Sequence, residues 1–332
     1  MPFLVKLGLG IGLLLLATPA QADDDLPAVP TVLEVRKFMN AGGAVAAEAL
    51  AKHVPAGVAG QRDLRYADAA NALLDVFYPT NAGEDGKALP TVVWIHGGAF
   101  VAGDKVHVAN YLRIVAAQGF TTVGLNYSLA PEARYPTPVE EANRALAYLK
   151  ENAQSLHIDP ERIFLAGDSA GAQIAAQLMN VISSPRYAEE MAITPAIARR
   201  ALRGVVLFCG PYDPEMLADG GIFGGFLAVV GEAYFGTADF LDDPRMEEFS
   251  IVGNITPEVP PLFISAGNGD PLARHAEALT VTSRNLGVSV MPLLFNQDYA
   301  PPLPHEYQFD LDSEAGMLAL ERMLVFLKVN AH

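Results

Sequence analysis

The pentapeptide Gly167-Asp168-Ser169-Ala170-Gly171 constrains this chain more than any other stretch. It follows the strand-like run Arg162-Ile163-Phe164-Leu165-Ala166 and precedes the helix-like run Ala172 to Met179. A serine with glycine at both second neighbours, between a strand and a helix, reads as a nucleophile elbow. The turn is so sharp that side chains beside the serine would strike neighbouring backbone, and Gly167 and Gly171 relieve that clash. The hydroxyl is thereby lifted clear of the sheet, with the N-terminal end of a helix aimed at any negative charge that develops there. The other reading is a chance glycine-rich strand-to-helix turn, common in any α/β protein.

The rest of the sequence carries that alternation. Strands are expected at Leu73 to Tyr78, Thr91 to Ile95, Thr121 to Tyr127, Arg162 to Gly167, Gly204 to Phe208, Pro261 to Ala266 and Ser289 to Phe295. Helices are expected at Val108 to Gln118, Pro138 to Leu156, Ser169 to Ile182, Pro271 to Leu286 and Ser313 to Val329. Mostly apolar strands interleaved with amphipathic helices imply a largely parallel sheet covered on both faces. An earlier helix is expected from Thr31 to His53, broken near Gly42-Gly43, followed by a Pro/Gly-containing link, Val54 to Gly60. The stretch 211–260 interrupts the rhythm and, following a strand, should sit above the carboxyl ends of the sheet. The expected organisation is therefore an N-terminal segment, 23–60, as part of a lid or merely docked on the core, and a catalytic domain, 61–332, whose insertion at about 211–260 is a cap lining a pocket or a simple packed excursion.

Residues 1–22 have the form of an export signal: Lys6, an apolar run from Leu7 to Ala17, and the small-x-small site Ala20-Gln21-Ala22. The run is too short to span a bilayer comfortably, so a cleaved, periplasmic or secreted protein is expected, with no stable membrane anchor. A net charge of −16 repels nucleic acid and anionic lipid. The single cysteine, Cys209, excludes an internal disulfide and follows an apolar run, as a buried thiol would.

A serine hydroxyl needs a base to take its proton. With the order nucleophile, acid, histidine, the bases left are His275, His305 and His332. His275 falls in an expected helix and His332 at the chain end. His305 follows the last strand and precedes the last helix, so it can hang over the sheet edge towards Ser169. Asp270, in the turn after the strand ending at Ala266, is the expected orienting acid; Asp213 and Asp298 are rivals, and a helix N-cap is its other reading. His96-Gly97-Gly98-Ala99-Phe100 follows the strand ending at Ile95. Its backbone, near Gly97 and Gly98, together with the N–H of Ala170, is the expected oxyanion hole, with His96 bracing the loop.

Taken together, the chain resembles the hormone-sensitive-lipase-like carboxylesterases of the α/β-hydrolase superfamily, over roughly Leu73 to Val329. Tyr127-Ser128-Leu129-Ala130-Pro131-Glu132, Asp270-Pro271-Leu272 and the segment beginning at His305 are similar to further stretches of that family. Three positions depart from it: Ala99 stands where many relatives have a third glycine, Ala273-Arg274-His275 where acids often stand, and Glu306 where a small residue often follows the histidine. The resemblance implies an α/β-hydrolase fold with a small helical cap, acting on a small-molecule ester through Ser169, Asp270 and His305, with no metal or organic cofactor. A monomer or homodimer is expected. Amide hydrolysis by the same triad, and a non-catalytic binding module, are the two other readings.

Overall fold

The computed structural model describes residues 30–83, 88–218 and 224–332. The expected export signal lies outside these residues, as does Gly220-Gly221-Ile222-Phe223 of the insertion. Eight strands form one sheet: β1 (Val58–Arg65), β2 (Leu73–Pro79), β3 (Leu89–Ile95), β4 (Thr121–Leu125), β5 (Ile158–Asp168), β6 (Leu202–Phe208), β7 (Leu262–Ala266) and β8 (Val290–Leu294). Their order is β1-β2-β4-β3-β5-β6-β7-β8. The first two strands run antiparallel to their neighbours, and every pair from β4 to β8 is parallel. β4 and β7 are buried along their whole length, as strands covered on both faces must be.

Eleven α-helices are described: α1 (Val32–Leu50), α2 (Lys105–Ala116), α3 (Thr137–Glu151), α4 (Ala170–Ser183), α5 (Pro185–Glu190), α6 (Pro214–Ala218), α7 (Gly224–Phe235), α8 (Arg245–Phe249), α9 (Ile251–Asn254), α10 (Ala273–Asn285) and α11 (Glu314–Asn330). Every residue of α4 is buried, which explains its run of small and apolar side chains. Four helices, α6 to α9, fall in the interval between β6 and β7, where the sequence loses its strand–helix rhythm.

Two expectations near the N-terminus change. The helix does not break at Gly42-Gly43; α1 is continuous and opens on a capping box between Thr31 and Glu34. Gly43 serves helix packing instead, because a Cβ there would lie 2.7 Å from the His107 ring on α2. The stretch expected as a link already contains the start of β1 at Val58. This edge strand is half exposed and polar, so it lacks the apolar pattern that marks the inner strands. Its irregularity falls between Gln61 and Leu64, where Asp63 sits at φ 54° and donates its N–H to the buried Asp75. Lys105 of α2 closes that site with ion pairs to Asp63 and Asp75 at 2.7 and 2.8 Å.

Candidate active site

Ser169 occupies the break between β5 and α4 with φ 51° and ψ −122°, a conformation L residues rarely adopt. Both flanking glycines are required there. A Cβ on Gly167 would approach the Gly171 carbonyl carbon to 2.5 Å, and one on Gly171 would collide with the Ile95 carbonyl oxygen. The serine N–H is tied to the Phe208 carbonyl at 2.8 Å, which fixes the turn against the end of β6. Ala170 is the first residue of α4, so its N–H belongs to the group a helix cannot satisfy internally.

Asp270 and His305 come from different loops and meet. The Nδ1 of His305 lies 3.0 Å from the Asp270 Oδ2, both side chains being buried. The other carboxylate oxygen of Asp270 accepts the Leu272 N–H at 2.7 Å, so the acid is held from both sides. It is not the N-cap of α10, which begins at Ala273 with Leu272 in the cap position. The two loops are laced together: Gly269 donates to the Leu303 carbonyl and Leu303 donates to the Asn268 side chain, each at 2.9 Å. The rivals are occupied elsewhere. Asp213 gives its N–H to His275 Nδ1 and accepts from Glu215 at the start of α6, while Asp298 and His332 are exposed.

Burial works against a charged imidazole, but the Asp270 carboxylate outweighs it and holds His305 well above its ordinary value. The Cys209 thiol also lies against His305, its Sγ within 4.8 Å of a ring nitrogen. Burial pushes that thiol up to about 11, so it meets the histidine as a neutral group. Cys209 stands one residue beyond β6, as Ser169 stands one residue beyond β5, and these strands pair Asp168 with Phe208. His305 is thus carried to the same edge of the sheet as the serine. Among the described residues, Cys209, Asp270 and His305 are the set whose spacing would suit a metal, with ligand atoms within 4.8 Å of one another. The His305–Asp270 hydrogen bond accounts for that closeness without one.

The glycine loop expected to form an oxyanion hole needs one correction. The Gly97 N–H donates to the Asp168 Oδ2 at 2.7 Å and is not free to receive an oxyanion. The loop donors that remain are those of Gly98, at φ 119°, and Ala99, at φ 52°. Ala99, Ser169 and Ala170 all line one cavity of about 300 Å³. Ala99 thus carries its methyl in a left-handed conformation that glycine would adopt without strain. A Cβ on Gly98 would collide with the Ala102 carbonyl, so that position tolerates no side chain. His96 braces the loop as expected: its Nδ1 contacts the Gly97 carbonyl at 2.7 Å, and its ring stacks on Tyr127 at 4.5 Å. Burial lowers it to about 4, so it stays neutral.

The cavity's far wall is apolar and comes mostly from the insertion, through Met216, Leu217, Phe226, Leu227, Val230 and Tyr234. No residue of α1 lines it. That helix instead clamps the oxyanion loop from behind: Arg36 donates to the Val101 and Ala130 carbonyls and pairs with Glu132, and Asn40 accepts the Gly103 N–H. Sequence reading did not anticipate the carboxyl of Asp168 beneath the loop, nor Cys209 against the histidine. Neither has a local signal, because both depend on which strand ends become neighbours.

A family model described as the alpha/beta hydrolase fold matches residues 92–298. Acetyl esterases of Salmonella paratyphi B and Salmonella agona are each 29% identical over 204 residues, spanning 58% of this chain and 58% of theirs. Among solved structures, an inhibited esterase B from Lactobacillus rhamnosis superposes with a TM-score of 0.78 at 21% identity, covering 90% of this chain and 96% of that one. A thermostable carboxylesterase cloned from a metagenomic library gives 0.73 at 21% identity, covering 92% and 100%.

Proposed function

Because the chain belongs to the alpha/beta hydrolase fold family, in its hormone-sensitive-lipase-like carboxylesterase branch, we propose that it cleaves small or short-to-medium acyl esters by way of an acyl-enzyme. The observation that carries this reading is the strained Ser169 turn on the same sheet edge as the bonded His305–Asp270 pair. His305 takes the Ser169 proton as the oxygen attacks the ester carbonyl. The oxyanion that forms is held by the N–H groups of Gly98, Ala99 and Ala170. The imidazolium, steadied by Asp270, then protonates the leaving alcohol. Water attacks the acyl-serine, giving its proton to the same imidazole, and the imidazolium returns that proton to the Ser169 oxygen as the acyl bond breaks and the acid departs.

The cavity supports an apolar portion of limited size on the substrate, since its wall offers aromatic and aliphatic side chains. On this reading α6 to α9 form the cap that sets acyl preference, and α1 is a brace for the oxyanion loop. Ser169→Ala should lower kcat on a short-chain p-nitrophenyl ester by about 10^5-fold or more with an unchanged circular dichroism spectrum. Undiminished hydrolysis would falsify the nucleophile assignment.

The form of residues 1–22 supports export to the periplasm or medium. Expressed whole in a bacterium, the mature protein should begin at Asp23; recovery of the intact N-terminus from the exported fraction would exclude cleavage.

A further inference from the structure

Asp168 takes no part in the acyl-transfer scheme, yet it is a buried acid beside the nucleophile. The residue is 3% exposed. Oδ1 accepts the Trp94 indole N–H at 2.6 Å and Oδ2 accepts the Gly97 N–H at 2.7 Å. A second carboxyl reaches the same spot from the histidine loop. A Cβ on Gly97 would strike Asp168 Oδ2 and lie 3.0 Å from Glu306 Oε1, so both acids converge over one glycine Cα. The Glu306 carboxyl thus comes close enough to that of Asp168 for the two to interact directly. Its Oε1 is also 3.9 Å from His305 Nε2, the nitrogen opposite the one that binds Asp270. Glu306 reaches this position from a left-handed backbone, φ 60° and ψ 27°, a conformation disfavoured for a residue with a side chain. The surrounding contacts must therefore hold it there.

Two carboxylates cannot hydrogen-bond each other without a proton between them. We infer that Asp168 and Glu306 hold one proton in common, and that this acid pair is a latch joining the serine turn, the Gly97 loop and the histidine loop, with Glu306 a positioning residue for His305. Asp168 donates its O–H to the Glu306 carboxylate, while the indole and amide donors keep Asp168 oriented. The latch joins the segments that carry nucleophile, oxyanion donors and base, and it rests on the proposed esterase reading only for what those segments do.

Burial first, and the Glu306 charge second, hold Asp168 well above the usual carboxylate range, against the two N–H donors. The proton is therefore retained in the range where neighbouring free carboxyls have lost theirs. Other ionisable groups face the pair: His305 beside Glu306, His107 and Tyr111 from α2, Tyr127 after β4, and Cys209 and Tyr212 after β6. Burial leaves His107 lowered and therefore neutral, and it raises the tyrosines and the thiol so that they add no negative charge; the cation that can face the pair is His305, which loses its proton as the pH rises through its raised value. Once the shared proton leaves, two adjacent negative charges repel and the histidine loop is pushed off its seat. Activity should fall on that alkaline side.

The test compares the intact enzyme with E306Q and E306A by infrared spectroscopy and by pH profiles of kcat and KM. At neutral pH the wild type should show the carbonyl stretch of a protonated buried carboxyl. E306Q should lose that band, because its amide N–H bonds Asp168 without a shared proton. E306A should lower kcat about tenfold with little change in KM, and E306Q should restore most of that rate without the alkaline fall. Absence of the band in the wild type, or an E306A enzyme with unchanged kcat and unchanged alkaline limb, overturns the latch. The band is read without substrate, so an inactive Ser169 would not be mistaken for a missing latch. If E306A does not fold, the wild-type band and the E306Q profile still decide.

Discussion

The serine edge of the sheet and the cap above it are built on opposite principles. At the edge, the backbone leaves almost no choice: Gly167, Gly171 and Gly98 each face a carbonyl or a peptide that a Cβ would strike. In the cap, α6, α8 and α9 have five, five and four residues, too short to persist alone, and α7 has twelve. Side chains hold that region instead. Tyr234 of α7 stacks on Phe100 at 4.0 Å, and Phe235 packs against Tyr135 and Phe249. Buried amides reach up from α4 to the cap backbone: Gln173 donates to the Phe249 carbonyl and Gln177 to that of Glu248. On the proposed esterase reading, the contrast teaches that chemistry depends on fixed backbone, whereas selectivity depends on packing that substitutions can retune.

The largest expected effect lies on the fixed side. Asp270→Asn removes the charge that orients and stabilises the His305 imidazolium, and kcat should fall by about 10^3- to 10^4-fold with the fold retained. A loss under about tenfold would remove Asp270 from the triad. The same charge sets the pH behaviour. His305 is raised in the folded protein, so the base needed for catalysis is neutral only above its ordinary 6.5, and the acid limb of kcat/KM should lie above that value. Stability runs the other way. The charged pair contributes fully below the unfolded value, and its contribution is lost as pH rises through the raised folded one. Activity and this share of stability should therefore cross within one window, and a limb below 6.5 would contradict the assignment.

Next comes the backbone itself. Gly171→Ala puts a methyl against the carbonyl oxygens of Ile95 and His96, both rigid backbone. It should cost about 3 kcal/mol in chemical denaturation, near the top of the range for overpacking. Because His96 leads into the oxyanion loop, kcat should drop as well. A variant of normal stability would mean that the turn yields, and that the edge is less rigid than the close approaches imply.

This division also explains what the sequence disclosed. Glycines around Ser169 were legible because a steric rule links them to one turn, and β2 to β8 were legible because each carries an apolar run, including β8, which is only half-buried. β1 escaped notice because an edge strand with Arg62, Asp63 and Arg65 looks like a loop. The glycine pair of α1 misled for a related reason: glycine permits a break and also permits close packing on His107, and only the partner decides. Ser169, Asp270 and His305 were proposed from chain order and the loops they occupy, and the bond between Asp270 and His305 is what the structure adds to them. Gly97 was assigned to the oxyanion hole because nothing local reveals that Asp168 claims its N–H. That bond joins residues 71 positions apart. The cavity wall was unreadable for the same reason, since its residues converge from helices with no common period.

The smallest effect belongs to the cap. Val230 lies on α7, is 7% exposed, and lines the cavity together with Ala99 and Ser169. Val230→Phe fills part of the 300 Å³ without touching the sheet edge. Each methylene of acyl chain accommodated by such a pocket is worth about 1 kcal/mol or slightly more, so the preference between a longer and a shorter acyl ester should shift towards the shorter by about tenfold. The rate on an acetyl ester should change little, because Ser169, His305 and the loop amides keep their places. A panel of p-nitrophenyl esters of graded length reads both quantities at once. If Val230→Phe slows every ester equally, the cap is coupled to the chemistry, and the separation of fixed edge from adjustable wall fails. If long and short esters keep their wild-type ratio, the acyl chain does not enter this cavity, and the alcohol portion of the substrate is what it receives.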